Sequence, residues 1–154
     1  MGMGNDGFDH MTVVVTDLDE AKRFFGLLGF EERISVVVSG EEMSRYMGIA
    51  DWTADHVTLV LDGAATHQEV QLLYFHQPQV VDDSGAGTLD RTGFNHVCFR
   101  VRDLDGMLAR LAVCGFTPRN EVMAFHDRRL VFLDGPGIVV ELAEWITAPA
   151  AGEV

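Results

Sequence analysis

Positive charge is scarce in this sequence. It has 11 Lys and Arg against 24 Asp and Glu, a formal net charge of −13. A nucleic-acid partner needs a basic footprint, and an anionic membrane surface attracts one, so neither is expected as a partner. Long apolar runs are missing too. No stretch approaches the ~18 consecutive apolar residues of a bilayer-spanning helix. The first ten residues, MGMGNDGFDH, hold no basic segment followed by an apolar one. No secretion signal is therefore expected, and the protein is read as cytoplasmic. Cysteine is limited to Cys98 and Cys114. Their separation matches no CxxC or zinc-finger pattern, so both are read as buried, reduced thiols. The glycine run SGAG at 84–87 lacks the spacing and the following helix of a phosphate loop.

What the chain does have is a repeat. Slid until Phe8 falls on Phe94, the stretch FDHMTVVVTDLDEAKRFFGLLGF matches FNHVCFRVRDLDGMLARLAVCGF without a gap. The identities are Phe8/Phe94, His10/His96, Val15/Val101, Asp17/Asp103, Leu18/Leu104, Asp19/Asp105, Gly29/Gly115 and Phe30/Phe116. Such self-similarity marks one module used twice. Folding accounts for most of the pairs. A valine suits a strand, an aspartate caps a helix, and a glycine ends one. The histidine is different, because the start of a strand has no need of an imidazole.

Read in order, 10–16 is a short strand whose side chains alternate, with His10, Thr12 and Val14 on one face. A helix capped by Thr16 or Asp17 follows, with Leu18, Ala21, Phe24, Phe25 and Leu28 inward. Gly29 closes it, and 30–38 is the second strand. The segment 39–50 interrupts the pattern. Ser39 with Glu42 has the form of a capping box for a short helix that the second module lacks. Strands at 54–61 and 69–75 form a hairpin around Asp62-Gly63. A linker, 76–93, leads to the second copy. There the expected elements are a strand at 95–102, a helix at 103–114, a strand at 116–122, and a hairpin of 128–133 with 138–143. Each module is thus β-α-β-β-β, spanning 8–75 and 94–145 within one domain of 154 residues. The tail, 147–154, is expected to fray.

The last strands also align, Val70-Gln71-Leu72 on Val140-Glu141-Leu142. Each module therefore carries a histidine at its first strand and an amide or carboxylate in its last. His10, Gln71, His96 and Glu141 together offer nitrogen and oxygen donors suited to one divalent first-row ion such as Ni, Co, Mn, Zn or Fe. Glu141 stands in the apolar strand IVVELA, where a carboxylate without a partner is unfavourable. Remaining polar residues have blander readings. His56, His67 and His76 lack repeat partners and are assigned to the surface. Tyr46 and His126 are assigned to structure or surface. Arg128 and Arg129 are expected to pair with surface acids.

Together FDHMTVVVTDLDEAKRFF, EVQLLYF, FNHVCFRVRDLD and FLDGPGIVVELAEW resemble the vicinal oxygen chelate superfamily over residues 8–145. That group includes glyoxalase I, methylmalonyl-CoA epimerase, extradiol dioxygenases, and fosfomycin- and bleomycin-resistance proteins. The resemblance implies an α+β fold of curled mixed sheets around a shared metal-binding cleft, and a homodimer. It implies a metal held by His10, Gln71, His96 and Glu141, an order most similar to that of methylmalonyl-CoA epimerase. In that epimerase the third strand of the first module carries a catalytic glutamate. Thr58 stands there in this chain, which leaves Glu141 as the candidate catalytic base. The activity implied is that of a metal-dependent lyase or isomerase acting on a small substrate with vicinal oxygens, through an enediolate. Two alternatives stay open: an Fe(II) extradiol-type dioxygenase, and a non-catalytic small-molecule binder of the bleomycin-resistance type.

Overall fold

The computed structural model describes residues 4–81, 83 and 85–146. The chain divides into two compact units, 1–81 and 82–154. The tail expected to fray lies outside the described residues.

The first unit begins with β1 (Met11–Val14), where Val13 is buried and Thr12 and Val14 are open. The chain then turns into α1 (Leu18–Leu27), capped by the Asp17 carboxylate, which accepts the Glu20 N–H at 2.9 Å. Asp19 and Glu20 fill the first turn, where negative charge favours the helix dipole. Gly29, at φ +97°, reverses the chain just beyond the C-cap. Next come β2 (Phe30–Ser39), α2 (Glu41–Met47), β3 (Thr53–Leu61) and β4 (Glu69–Gln77). The strands form one mixed sheet in the order β1-β4-β3-β2, with β1 parallel to β4 and the others antiparallel.

One face of this sheet is apolar. Val57, Leu59, Val70 and Leu72 are buried with Ala21, Phe24 and Phe25 of α1. Each such aliphatic or aromatic side chain stabilises the fold by about 1.5–3 kcal/mol relative to exposure. Phe24 and Phe25 meet edge to face at 5.3 Å, and Phe30 joins them. The opposite face carries Thr12, Gln71 and Thr58 in a single row, because Thr12 and Thr58 both pair with Gln71. At one end of that face Trp52, Ala54 and Leu73 form a second cluster with Met43, Met47, Ile49 and Phe75. This cluster anchors α2. The Ser39 capping box does not form. Ser39 stays paired with Thr53 in β2, so Gly40 becomes the N-cap and no side chain bonds to the helix end.

The second unit repeats the plan with β5 (Val97–Val101), α3 (Leu104–Val113), β6 (Met123–Phe125), β7 (Arg128–Gly135) and β8 (Ile138–Trp145), in the order β5-β8-β7-β6. Asp103 caps α3 through the Gly106 N–H at 2.9 Å, and Gly115 has φ +87°. Leu104, Met107 and Leu111 pack with Val131, Leu133, Val140 and Leu142. The strand expected at 116–122 is absent. Pro118 has no N–H to sustain a ladder, so only an isolated bridge to Leu133 forms, and the paired segment starts at Met123. The Asn120 side chain takes over by accepting the Phe132 N–H at 3.1 Å. β6 is therefore three residues long, against ten for β2.

Candidate metal centre

The repeat places its histidines one residue ahead of the first ladder position in each unit, since β1 begins at Met11 and β5 at Val97. Both rings are held the same way. His10 Nδ1 lies 2.5 Å from Asp9 Oδ2, and His96 Nδ1 lies 2.7 Å from Asn95 Oδ1. Asp9 and Asn95 occupy matched positions of the repeat. An oxygen acceptor on Nδ1 fixes the tautomer and leaves Nε2 with its lone pair, as in metal-ligating histidines.

In the second unit Glu141 pairs with Cys98 on one side and Phe132 on the other. This row matches Thr12, Gln71 and Thr58 place for place. Glu141 Oε2 stands 3.3 Å from His96 Nε2. The Phe132 ring meets His96 edge to face at 5.0 Å and walls the pair. Neither cysteine is buried in the core, contrary to expectation; both are free. Cys98 sits beside Glu141 on the open face, where partial desolvation and then the facing carboxylate push its thiol up to about 12. That shift favours the protonated thiol beside Glu141.

In the first unit Gln71 is engaged on every polar atom. Its Oε1 lies 2.9 Å from His56 Nε2 and 3.4 Å from Thr12 Oγ1, and its Nε2 donates to Glu69 Oε1 at 2.7 Å. The hydrogen bond from Gln71 holds the Glu69 carboxyl below its ordinary value, and His67 and His10 add to that effect. The surface assignment of His56 is therefore corrected. It is half-buried on the row's face. Tyr46 is exposed, and His126 sits at φ +52° in the β6–β7 turn against Phe125. Arg129 bonds Asp105 at 2.7 Å and Glu144 at 2.9 Å, while Arg128 lies over the Trp145 ring.

The second unit thus brings an imidazole and a carboxylate together, His96 beside Glu141, while the first carries His10 and Gln71 at the matching positions. That is the donor chemistry of a borderline divalent ion. Among the described residues, no three His, Cys, Asp or Glu side chains within either unit gather into a metal-binding group. The donor types in each unit, an imidazole with an amide or a carboxylate, fit the chemistry of such an ion.

The sequence model of the Glyoxalase/Bleomycin resistance protein/Dioxygenase superfamily matches residues 9–132. The chain belongs to this superfamily. A glyoxalase family protein from Bacillus cereus has the same fold, at 27% identity and a TM-score of 0.86, over 96% of this chain and 99% of that one. A glyoxylase/bleomycin resistance protein/dioxygenase domain from Frankia sp. EAN1pec matches at 20% identity and 0.65, over 92% and 93%. The fosfomycin resistance protein FosX of Listeria monocytogenes, in its complex with Mn(II) and sulfate, matches at 16% identity and 0.56, over 92% and 93%. No curated protein matches the chain. No helix among the described residues is long and apolar enough to cross a membrane.

Proposed function

We propose that the protein is a metal-dependent lyase or isomerase of the glyoxalase and epimerase type. In this reading His10, Gln71, His96 and Glu141 hold one divalent ion, and the substrate is a small molecule with oxygens on adjacent carbons. The observation that carries the reading is the matched pair of rows, with Gln71 and Glu141 at their centres and a histidine tied through Nδ1 just ahead of the first strand of each unit. The Mn(II) in FosX supports a divalent ion for this fold.

When bound, the ion supplies Lewis acidity toward two adjacent substrate oxygens. The chain's own residues do the rest. Asp9 and Asn95 hold the two imidazoles in one tautomer. In this reading Glu141, a carboxylate 3.3 Å from His96, takes a proton from the substrate carbon next to its carbonyl and returns it. Thr58, at the first-unit place where the epimerase pattern has glutamate, has no side-chain base to offer. Phe132 fills the equivalent place in the second unit and packs edge to face against His96. Ser44, Arg45, Trp52 and Gln77 border an open pocket at the α2 insert, which this reading takes as a place for the variable part of a substrate. The active species is proposed to be a homodimer.

Two measurements test this. Elemental analysis after reconstitution should find about one divalent ion per chain, the number set by one four-donor site. Assays against a hemithioacetal and a catechol then separate lyase or isomerase from ring-cleaving dioxygenase. A protein that binds no stoichiometric ion defeats the enzyme reading and favours a small-molecule binder.

A further inference from the structure

Gln71 carries an ambiguity that its neighbours remove. A glutamine amide has one acceptor end and one donor end of nearly equal size. Glu69 Oε1, 2.7 Å away, belongs to a carboxylate, which only accepts. The amide NH2 must therefore face Glu69, and Oε1 must face the other way. There it meets His56 Nε2 at 2.9 Å and Thr12 Oγ1 at 3.4 Å. An oxygen cannot donate, so His56 has to present its proton at Nε2. The reversed amide would set its oxygen against the Glu69 carboxylate.

We infer that His56 and Glu69 are positioning residues that lock the Gln71 carbonyl oxygen into its ligand role. The inference rests on the proposed metal site. Glu69 selects the orientation of the amide, and His56 restrains the selected oxygen at 2.9 Å, so that the longer 3.4 Å contact from the Thr12 hydroxyl is the one an ion would replace. A glutamine without such partners rotates between two ends, only one of which ligates. The repeat shows why this unit needs the device. The second unit has Glu141 at the same place, and a carboxylate offers oxygen whichever way it turns. The residues equivalent to His56 and Glu69 there are Leu130 and Val139, which can do neither job. The ligand that can be misoriented is thus the one with two polar restraints.

The test has two arms. In the metal-free protein, long-range proton–nitrogen correlation should read His56 as the Nε2–H tautomer. The Nδ1–H tautomer overturns the inference without reference to any metal. In the second arm, affinity for Mn(II) or Co(II) is measured for wild type, Gln71→Ala, His56→Ala, His56→Gln and Glu69→Gln, with melting temperature alongside. Lost restraint of a metal ligand typically weakens affinity about 10–100-fold. His56→Ala and Glu69→Gln should each fall in that range and shift the visible spectrum of the Co(II) form. His56→Gln, which keeps an N–H donor, should recover much of the loss. Gln71→Ala weakened with His56→Ala and Glu69→Gln as tight as wild type overturns the inference alone. Lower melting temperatures at unchanged affinity do the same, because they reveal a purely structural network. A wild type that binds neither ion stoichiometrically overturns the site itself, and the inference with it.

Discussion

His96 Nε2 stands 3.3 Å from Glu141 Oε2, while Nδ1 of the same ring is tied to Asn95. One carboxylate therefore faces an imidazole that has a single nitrogen left to give. If Glu141 both ligates and takes the substrate proton, Glu141→Gln keeps an oxygen at that place and loses the base. Turnover should fall ~10²–10⁴-fold while part of the metal stays bound. In a dioxygenase, lost activity would instead track lost Fe(II). Metal content, turnover and melting temperature on this variant separate the readings. Unchanged metal affinity together with unchanged turnover would remove Glu141 from the site.

Cys98 is the second check on the same carboxylate. Its thiol, pushed up to about 12, stays protonated at neutral pH. In a Cys114→Ser background, alkylation by iodoacetamide at pH 8 should be far slower than that of a peptide thiol near 8.5. Adding Glu141→Gln removes the facing negative charge and should speed it. Fast alkylation of Cys98 with Glu141 intact would contradict the geometry.

A third expectation concerns assembly. Neither sheet closes on itself, and β2 is an edge strand of ten residues carrying exposed Ile34, Val36 and Val37. Long apolar edges invite pairing. Sedimentation should show a homodimer at micromolar concentration, and a monomer throughout that range would count against it.

The Asp105–Arg129 pair gives a pH signature away from the site. Hydrogen bonding to Arg129 holds the Asp105 carboxyl below its ordinary value. A depressed carboxyl stabilises the fold above the unfolded value of about 3.9, and that contribution is lost as pH falls through the folded value. Asp105→Asn should lower Tm slightly at pH 7, with a gap that narrows on acidification. A constant gap from pH 7 to pH 2 would mean that the charge contributes nothing.

Much of this architecture can be read from the sequence, for reasons tied to particular residues. Asp17 and Gly29, with Asp103 and Gly115, fix the length of a helix by its two ends, so the duplication survives in their spacing. Gln71 and Glu141 are visible because each interrupts an apolar strand. His56 and Glu69 escape because repetition exposes only what both copies keep, and Leu130 and Val139 stand in their places. Asp9 and Asn95 are passed over because they match in chemistry and not in identity. The misplaced strand at 116–122 follows from reading Phe116 and Val122 as a run, although Pro118 between them cannot donate to a ladder.

The registry of β4 between β1 and β3 has a wider meaning. The same ladder that sends Val70 and Leu72 inward sends Gln71 outward, and a slip of one residue would exchange the two sets. Chemistry and folding are thus fastened to one alignment. A substitution that loosens the packing of Val70 or Leu72 would therefore also displace Gln71. The second copy keeps the same arrangement, with Val140 and Leu142 inward and Glu141 outward, although most of the neighbouring side chains differ.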